Sequence, residues 1–486
     1  MFQPRLDPSS RKRRVPWDSF AKAATLPLSR RIFVNRNLRL SAIQAIGFDM
    51  DHTLALYDTV PFEELAFEEA KRKLVTAGLD PELATMRYDA SFVIRGLVLD
   101  KARGNILKMD QHRYVARAFH GTRPLPDEMR KRLYQRRPIR FSRGDYVTVD
   151  SPFSLPEIDL YAQLVDLQDA KRHPRDYRSL YQQVRGAIDE AHADGSIKSE
   201  IAREPERYLR VDPDLPATLH RMKEHGFRLF LLTNSEAEYT AEILGRLLDG
   251  KLRERPRWTD FFDIIVVRAG KPAFFRSRRE ARPIRLAGAG EEAVEGAKVF
   301  AGGSVGDLER RLGCGGDKIL YFGDHTYGDI LKSKRVRLWR TAMIVQELQR
   351  ELEIMERQQS RRNVLRRQMD RLDGLLRVSD LLERVQEGVA RPPLEGGRRL
   401  PVGELLASVG GEIVQLEARI RTLQSEIERD HNERWGPMFH TGLAPSHFAA
   451  QVRDFACIYT AGVSNFLHYP VDKYFRARFD PMPHER

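Results

Sequence analysis

Four short apolar runs along the chain each stop abruptly at residues that can do chemistry. Ile43 to Phe48 ends at Asp49-Met50-Asp51, and Phe227 to Leu232 ends at Thr233-Asn234-Ser235. Phe262 to Val267 is followed closely by Lys271, and Ile319 to Phe322 ends at Gly323-Asp324. Runs this short and this apolar read as parallel strands buried on both faces, with their carboxyl ends opening onto a site. Segments compatible with helix lie between them. The pattern therefore predicts an α/β fold whose core is a doubly wound parallel sheet.

The interval between the first two runs is too long for one crossover helix and predicts a large inserted cap domain. Residues 1–30 read as an irregular basic lead-in, 31–60 and 205–345 as the catalytic core, and 61–204 as the cap that selects substrate. Gln346 to Leu376 and Glu412 to Arg434 are rich in Glu, Arg, Gln and Leu at helical spacing, separated by Pro392-Pro393 and Gly396-Gly397. Residues 346–435 are thus expected to form a hairpin of long C-terminal helices, packed on the core or on another subunit. No strict heptad persists, which argues against a filament-like coiled coil. Residues 436–486 are expected to pack on the core.

Composition narrows the class. A chain of 486 residues, 41% hydrophobic and 31% charged, has the balance of a soluble globular protein. No apolar stretch approaches the roughly 18 to 20 residues that span a bilayer, so no membrane partner is expected. The basic run Arg11 to Arg14 lacks the apolar segment of a signal peptide. Two distant cysteines, Cys314 and Cys457, argue against a disulfide framework or a cysteine zinc site, and a cytoplasmic location is expected. The net charge of +13 fits nucleic acid, small polyanions or simply a basic surface. The arginines are scattered and no recognition motif accompanies them, so nucleic acid is disfavoured.

The strand ends carry the chemistry. In extended backbone, Asp49 and Asp51 project to the same side, so one carboxylate can attack phosphorus while the other serves as acid and base. Thr53 can help close their loop. Thr233, Asn234 and Ser235 offer hydroxyls and N–H groups at a helix start, suited to phosphate oxygens. Lys271 can offset the charge of nucleophile and phosphoryl group. Asp324 with Asp49 and one backbone carbonyl can form part of a magnesium shell, and Asp329 can hold a metal-bound water or orient Lys271. Taken singly, these are ordinary caps, turns and surface charges. In order along one sheet, they make phosphoryl transfer the better explanation.

The ordered set resembles the haloacid dehalogenase (HAD) superfamily. Within it, Ile32-Phe33-Val34-Asn35-Arg36, the segment Gly47 to Ala55, the segment Gly323 to Lys334 and Met482-Pro483-His484-Glu485 resemble the cytosolic purine 5′-nucleotidase family, the IMP/GMP-preferring type. That resemblance implies Asp49 as nucleophile and Asp51 as general acid/base. It implies magnesium held by the Asp49 carboxylate, the Asp51 main-chain carbonyl and Asp324, with Asp329 in the outer shell. It also implies phosphate binding by Thr233, Asn234, Ser235 and Lys271, and a homotetramer or dimer. Purine nucleoside monophosphates would be the substrates, with nucleosides as alternative acceptors to water.

The stretch from Val184 to Lys198 is similar to that family's substrate segment, with Arg185, Asp189 and Lys198 at the matching positions. Phe153 resembles the residue on which the base stacks, and His192 is a further candidate for that wall. An aromatic face gives general base affinity, whereas paired polar groups tell a 6-oxo from a 6-amino edge. Tyr327 and Lys334 lie where the family couples an effector site to the fourth motif, so an ATP-type effector is a further expectation. The strongly acidic tail of the vertebrate members is missing, and Phe275 to Arg282 is basic. Two alternatives remain open at this point. One is a HAD phosphatase for another small phosphoester, such as a sugar phosphate; the other is a non-catalytic, basic RNA-binding scaffold.

Overall fold

The computed structural model describes residues 26–479 and 482, without 137–138, 142–143, 172–175, 285–297, 392–393, 396–397 and 400. The basic run Arg11 to Arg14, the break at Pro392-Pro393 and Gly396-Gly397, and Pro483 to Glu485 lie outside the described residues. The core is a nine-stranded sheet. In chain order its strands are β1 (Phe33–Val34), β2 (Ala45–Phe48), β3 (Arg228–Leu232), β4 (Ile264–Val267), β5 (Arg282–Pro283), β6 (Val299–Ala301), β7 (Ile319–Gly323), β8 (Arg340–Ile344) and β9 (Ile458–Thr460). Side by side they run β1-β9-β8-β7-β2-β3-β4-β6-β5. All neighbours are parallel except at the edges, where β1 and β5 run antiparallel.

Every residue of β2, β4 and β7 is buried, because alternate side chains feed apolar clusters on opposite faces of the sheet. Ile46, Phe48, Leu229, Leu231, Ile265 and Phe322 enter one cluster. Ala45, Phe230, Leu232, Ile264 and Tyr321 enter the other. Gly47 pairs with Phe230 across β2 and β3, and a Cβ there would sit 2.0 Å from the Phe230 ring. From β2 the chain winds outward to β3, β4 and β6, then returns to β7 on the opposite side. The carboxyl end of β2 is therefore the topological switch point, where loops part and leave a crevice.

Between β2 and β3 the chain leaves the core through an antiparallel ribbon, Leu56–Tyr57 against Leu209–Arg210. This inserted cap carries α1 (Thr59–Thr76), α2 (Leu155–Ala170), α3 (Tyr177–Ala193) and α4 (Ser196–Arg203). It also holds a five-stranded antiparallel sheet between residues 98 and 148, which the run-counting along the sequence does not predict. The cap has its own apolar core, in which Trp435 from the C-terminal region is embedded.

After β8 come α5 (Leu348–Arg357), α6 (Gln359–Gln386), α7 (Val402–Arg429) and α8 (His447–Phe455). The long helices α6 and α7 have 28 residues each, about 42 Å at 1.5 Å per residue. Arg361 pairs with Asp430 and Arg371 with Glu412, so they lie antiparallel. The first helical stretch breaks at Gln358, whose side chain turns to the Ile427 carbonyl and Asp430 at 2.9 Å each. Beyond the hairpin, the chain packs on the cap as well as on the core. Trp435 donates to the Phe92 carbonyl, and Lys108 of the cap donates to the Trp435 and Pro437 carbonyls. Among the described residues no helix is long and apolar enough to cross a membrane.

Candidate active site

At the switch point, the Asp49 N–H continues the ladder to the Phe322 carbonyl at 2.9 Å. The Met50 carbonyl then accepts from the N–H groups of Thr53, Leu54 and Ala55, folding the loop tightly. His52 takes up a left-handed φ of 54° in that turn. Thr53 is buried inside the loop and stays out of the pocket lining.

Asp49 and Asp51 both face one pocket of about 370 Å3. Lys271 Nζ lies 2.8 Å from Asp49 Oδ1 and 2.7 Å from Asp329 Oδ1. It also donates to the Tyr321 hydroxyl at 3.0 Å. Asn234 holds the Lys271 backbone from both sides, its Oδ1 accepting from the N–H at 2.7 Å and its Nδ2 donating to the carbonyl at 3.1 Å. The Asp51 carboxylate accepts from Ser235 Oγ at 2.8 Å and from the Tyr57 hydroxyl at 2.5 Å. Tyr57 in turn meets the Tyr239 hydroxyl at 2.9 Å. The Thr233 hydroxyl accepts from the Ser235 N–H at 3.1 Å, shaping the turn into the next helix.

Asp49, Asp324 and Asp329 present carboxylate oxygens within 4.8 Å of one another. Lys271 is the ammonium set among them, which leaves excess negative charge in a buried place. Burial, reinforced by Asp329 and Asp51 and opposed by Lys271, raises Asp49 to about 7. Burial and the Asp329 and Asp49 charges push Asp324 well above the usual carboxylate range. Asp324 Oδ2 is buried without a hydrogen-bond partner. Hard oxygen donors, an orphaned oxygen and surplus charge together suit a divalent cation such as magnesium. Gly323 makes the cluster possible, since a Cβ there would lie 2.6 Å from Asp329 Cβ.

The far wall of the same pocket belongs to the cap. Phe153, Arg185, Asp189, His192 and Lys198 line it, together with Asp49, Asp51, Thr233, Asn234, Ser235, Lys271, Asp324 and Asp329 from the core. Phe153 stands edge-on to His52 at 4.6 Å and to His192 at 5.4 Å. Burial, then Lys198 and Arg185, pushes His192 down to about 4, so it is a neutral ring near pH 7. Arg185 donates to Glu157 at 2.9 Å and to Asp189 at 3.0 Å. Lys198 pairs with Glu236 and sits over the Tyr239 ring.

A model of the 5′ nucleotidase family matches residues 32–486. The chain belongs to that family. Human 5′-nucleotidase domain-containing protein 2 is 30% identical over 474 residues, 93% of this chain and 85% of its own length. The rat protein of the same description is 30% identical over 476 residues, covering 93% of this chain and 80% of its own. Among solved structures, a HAD phosphatase from Thermococcus onnurineus aligns with 63% of this chain and 87% of its own, at 16% identity and a TM-score of 0.25.

Three residues escape a reading of strand ends: Tyr57 and Tyr239, which line the pocket, and Arg95, which lies outside its lining and donates to the Asp324 carbonyl. Arg95 had a visible signal, a single charge inside the apolar run Phe92 to Leu99. Tyr57 and Tyr239 look like ordinary core aromatics until the ribbon and the helix after Ser235 bring them to Asp51. Lys334 lies outside the pocket lining, on the helix Lys332–Arg337, and donates to the Phe455 carbonyl at 3.0 Å. Tyr327 lies in the helical turn Thr326–Leu331, and its side chain lies outside what the structure describes.

Proposed function

We propose that this 5′-nucleotidase family member is a magnesium-dependent phosphatase of purine nucleoside 5′-monophosphates, with Asp49 as covalent nucleophile. The observation that carries the reading is one pocket lined by both core and cap. The core contributes Asp49, Asp51, Lys271 and Asp324, and the cap contributes Phe153, His192, Arg185 and Asp189. Its volume of about 370 Å3 lies in the range of small-ligand sites, roughly 300–1,000 Å3.

An Asp49 oxygen attacks phosphorus, and the bond from phosphorus to the 5′-oxygen breaks. Asp51 delivers its proton to the departing nucleoside oxygen. Asp51 then takes a proton from water, whose oxygen attacks the aspartyl-phosphate and frees Asp49 and inorganic phosphate. Ser235 and Tyr57 keep the Asp51 carboxylate aimed at this exchange. A nucleoside 5′-hydroxyl replacing water would give phosphotransfer by the same proton steps. Asp49, Asp324 and the Asp51 main-chain carbonyl would hold magnesium, with Asp329 beside them; when bound, the ion supplies charge neutralisation at the phosphoryl oxygens. Thr233, Asn234 and Lys271 line the core side of the pocket.

On the cap side, Phe153 and the neutral His192 ring offer apolar faces to a base. Arg185 has only donors, which suit a 6-oxo acceptor and oppose a 6-amino group; Asp189 can accept from the adjacent ring N–H. Turnover of IMP, GMP, AMP and sugar phosphates at fixed magnesium tests the reading. IMP and GMP should lead, and equal turnover of the sugars would overturn the nucleotide assignment. An added inosine acceptor should divert phosphoryl groups from water.

A further inference from the structure

Arg95 stands in an apolar stretch of the cap, and its side chain is wholly buried. Burying a guanidinium is expensive, and with Nε left without a hydrogen-bond partner the two contacts of its Nη atoms should matter. Nη1 donates to the Asp324 main-chain carbonyl at 3.2 Å, and Nη2 donates to Glu347 at 2.5 Å. The guanidinium also lies 5.1 Å from the centre of the Phe448 ring. The cap supplies the arginine, the end of β7 supplies the carbonyl, and the C-terminal region supplies the carboxylate and the ring. Gly96 allows this approach: its φ is 93°, and a Cβ there would sit 2.4 Å from Phe448 Cβ.

The carbonyl that Arg95 holds belongs to the residue whose carboxylate joins Asp49 and Asp329. Asp324 Oδ2 has no hydrogen bond of its own, so side-chain contacts do little to fix its direction. The backbone must fix it instead, and Arg95 is the cap's grip on that backbone. We infer that Arg95 is a positioning residue for Asp324, holding the cation-binding carboxylate in place and making that hold depend on the seating of cap and C-terminal region. The inference rests on the reading of Asp324 as a magnesium ligand. It assigns Arg95 no contact with substrate or with the ion.

Titration calorimetry of magnesium into the full chain tests it, with Arg95→Met, Arg95→Lys and Asp324→Asn beside wild type. Arg95→Met should weaken magnesium binding by about tenfold or more, as loss of an orienting partner does elsewhere. Arg95→Lys keeps the charge and can reach one acceptor, so it should fall between; it carries the test if Arg95→Met does not fold. KM for IMP at saturating magnesium should stay within about twofold of wild type, and turnover should recover as magnesium is raised. A general loosening of the fold would lower the melting temperature without that rescue. Magnesium affinity within about twofold of wild type in the folded variants, with binding lost in Asp324→Asn, would overturn the Arg95 inference alone. Wild-type binding that survives Asp324→Asn would overturn the magnesium site, and the inference with it.

Discussion

Asp49 meets two opposed demands. As the proposed nucleophile it would attack from a buried position beside Asp329 and Lys271, and the same burial raises its proton affinity. Asp49→Asn should abolish phosphate release while leaving the thermal melt near wild type, because the amide fills the space but its oxygen lacks the nucleophilicity of a carboxylate. Tyr57 acts one step away. Its hydroxyl holds Asp51 at 2.5 Å, so Tyr57→Phe should lower kcat by about tenfold and leave KM nearly unchanged. An equal rise in KM would mean that Tyr57 serves substrate binding instead. Arg185→Met should cost about 10- to 100-fold in kcat/KM for IMP and little for AMP, collapsing the preference between them.

At the scale of elements, the four strand ends were legible because buried parallel strands leave a plain signature: unbroken apolar runs that stop at polar residues. β2, β3, β4 and β7 fall on those runs within about two residues, the usual uncertainty of strand and helix ends. β8 and β9 were not singled out, since Arg340 to Ile344 and Ile458 to Thr460 end at residues with no evident chemistry. The cap's antiparallel sheet was obscured by charges such as Lys108 and Arg117, which are satisfied by distant C-terminal partners. Tight strand packing also gives a prediction. Gly47→Ala would drive a methyl into the Phe230 ring and should destabilise the protein by about 1–3 kcal/mol, read from urea unfolding. An unchanged midpoint would show that Phe230 can swing aside freely.

At the scale of the whole molecule, cap and core converge on the pocket while the C-terminal region backs it through Glu347 and Phe448 at Arg95, a relation that local patterning does not reveal. Phe153, Arg185 and Lys198 belong to segments distant from Asp49 in the chain, and only the resemblance to a known family pointed to them. The region between cap and C-terminal region also holds Glu63, which accepts from Tyr88 at 2.6 Å. Burial, with Glu347 adding and Tyr88 opposing, pushes Glu63 up to about 8. The unfolded chain releases that proton near 4.5, so the folded state holds it more tightly. This contribution to stability is present below about pH 4.5 and is lost as pH rises through about 8. Glu63→Gln should flatten that decline in urea midpoints, and an unaltered slope would place the effect elsewhere. The central claim is covalent catalysis at Asp49, and a single turnover of IMP with magnesium, quenched in acid and read by peptide mass spectrometry, tests it most directly. A phosphoryl group should appear on the peptide bearing Asp49, rise and then decay as phosphate is released, and be absent from Asp49→Asn. Phosphate release with no modified peptide, or wild-type turnover by Asp49→Asn, would contradict the account.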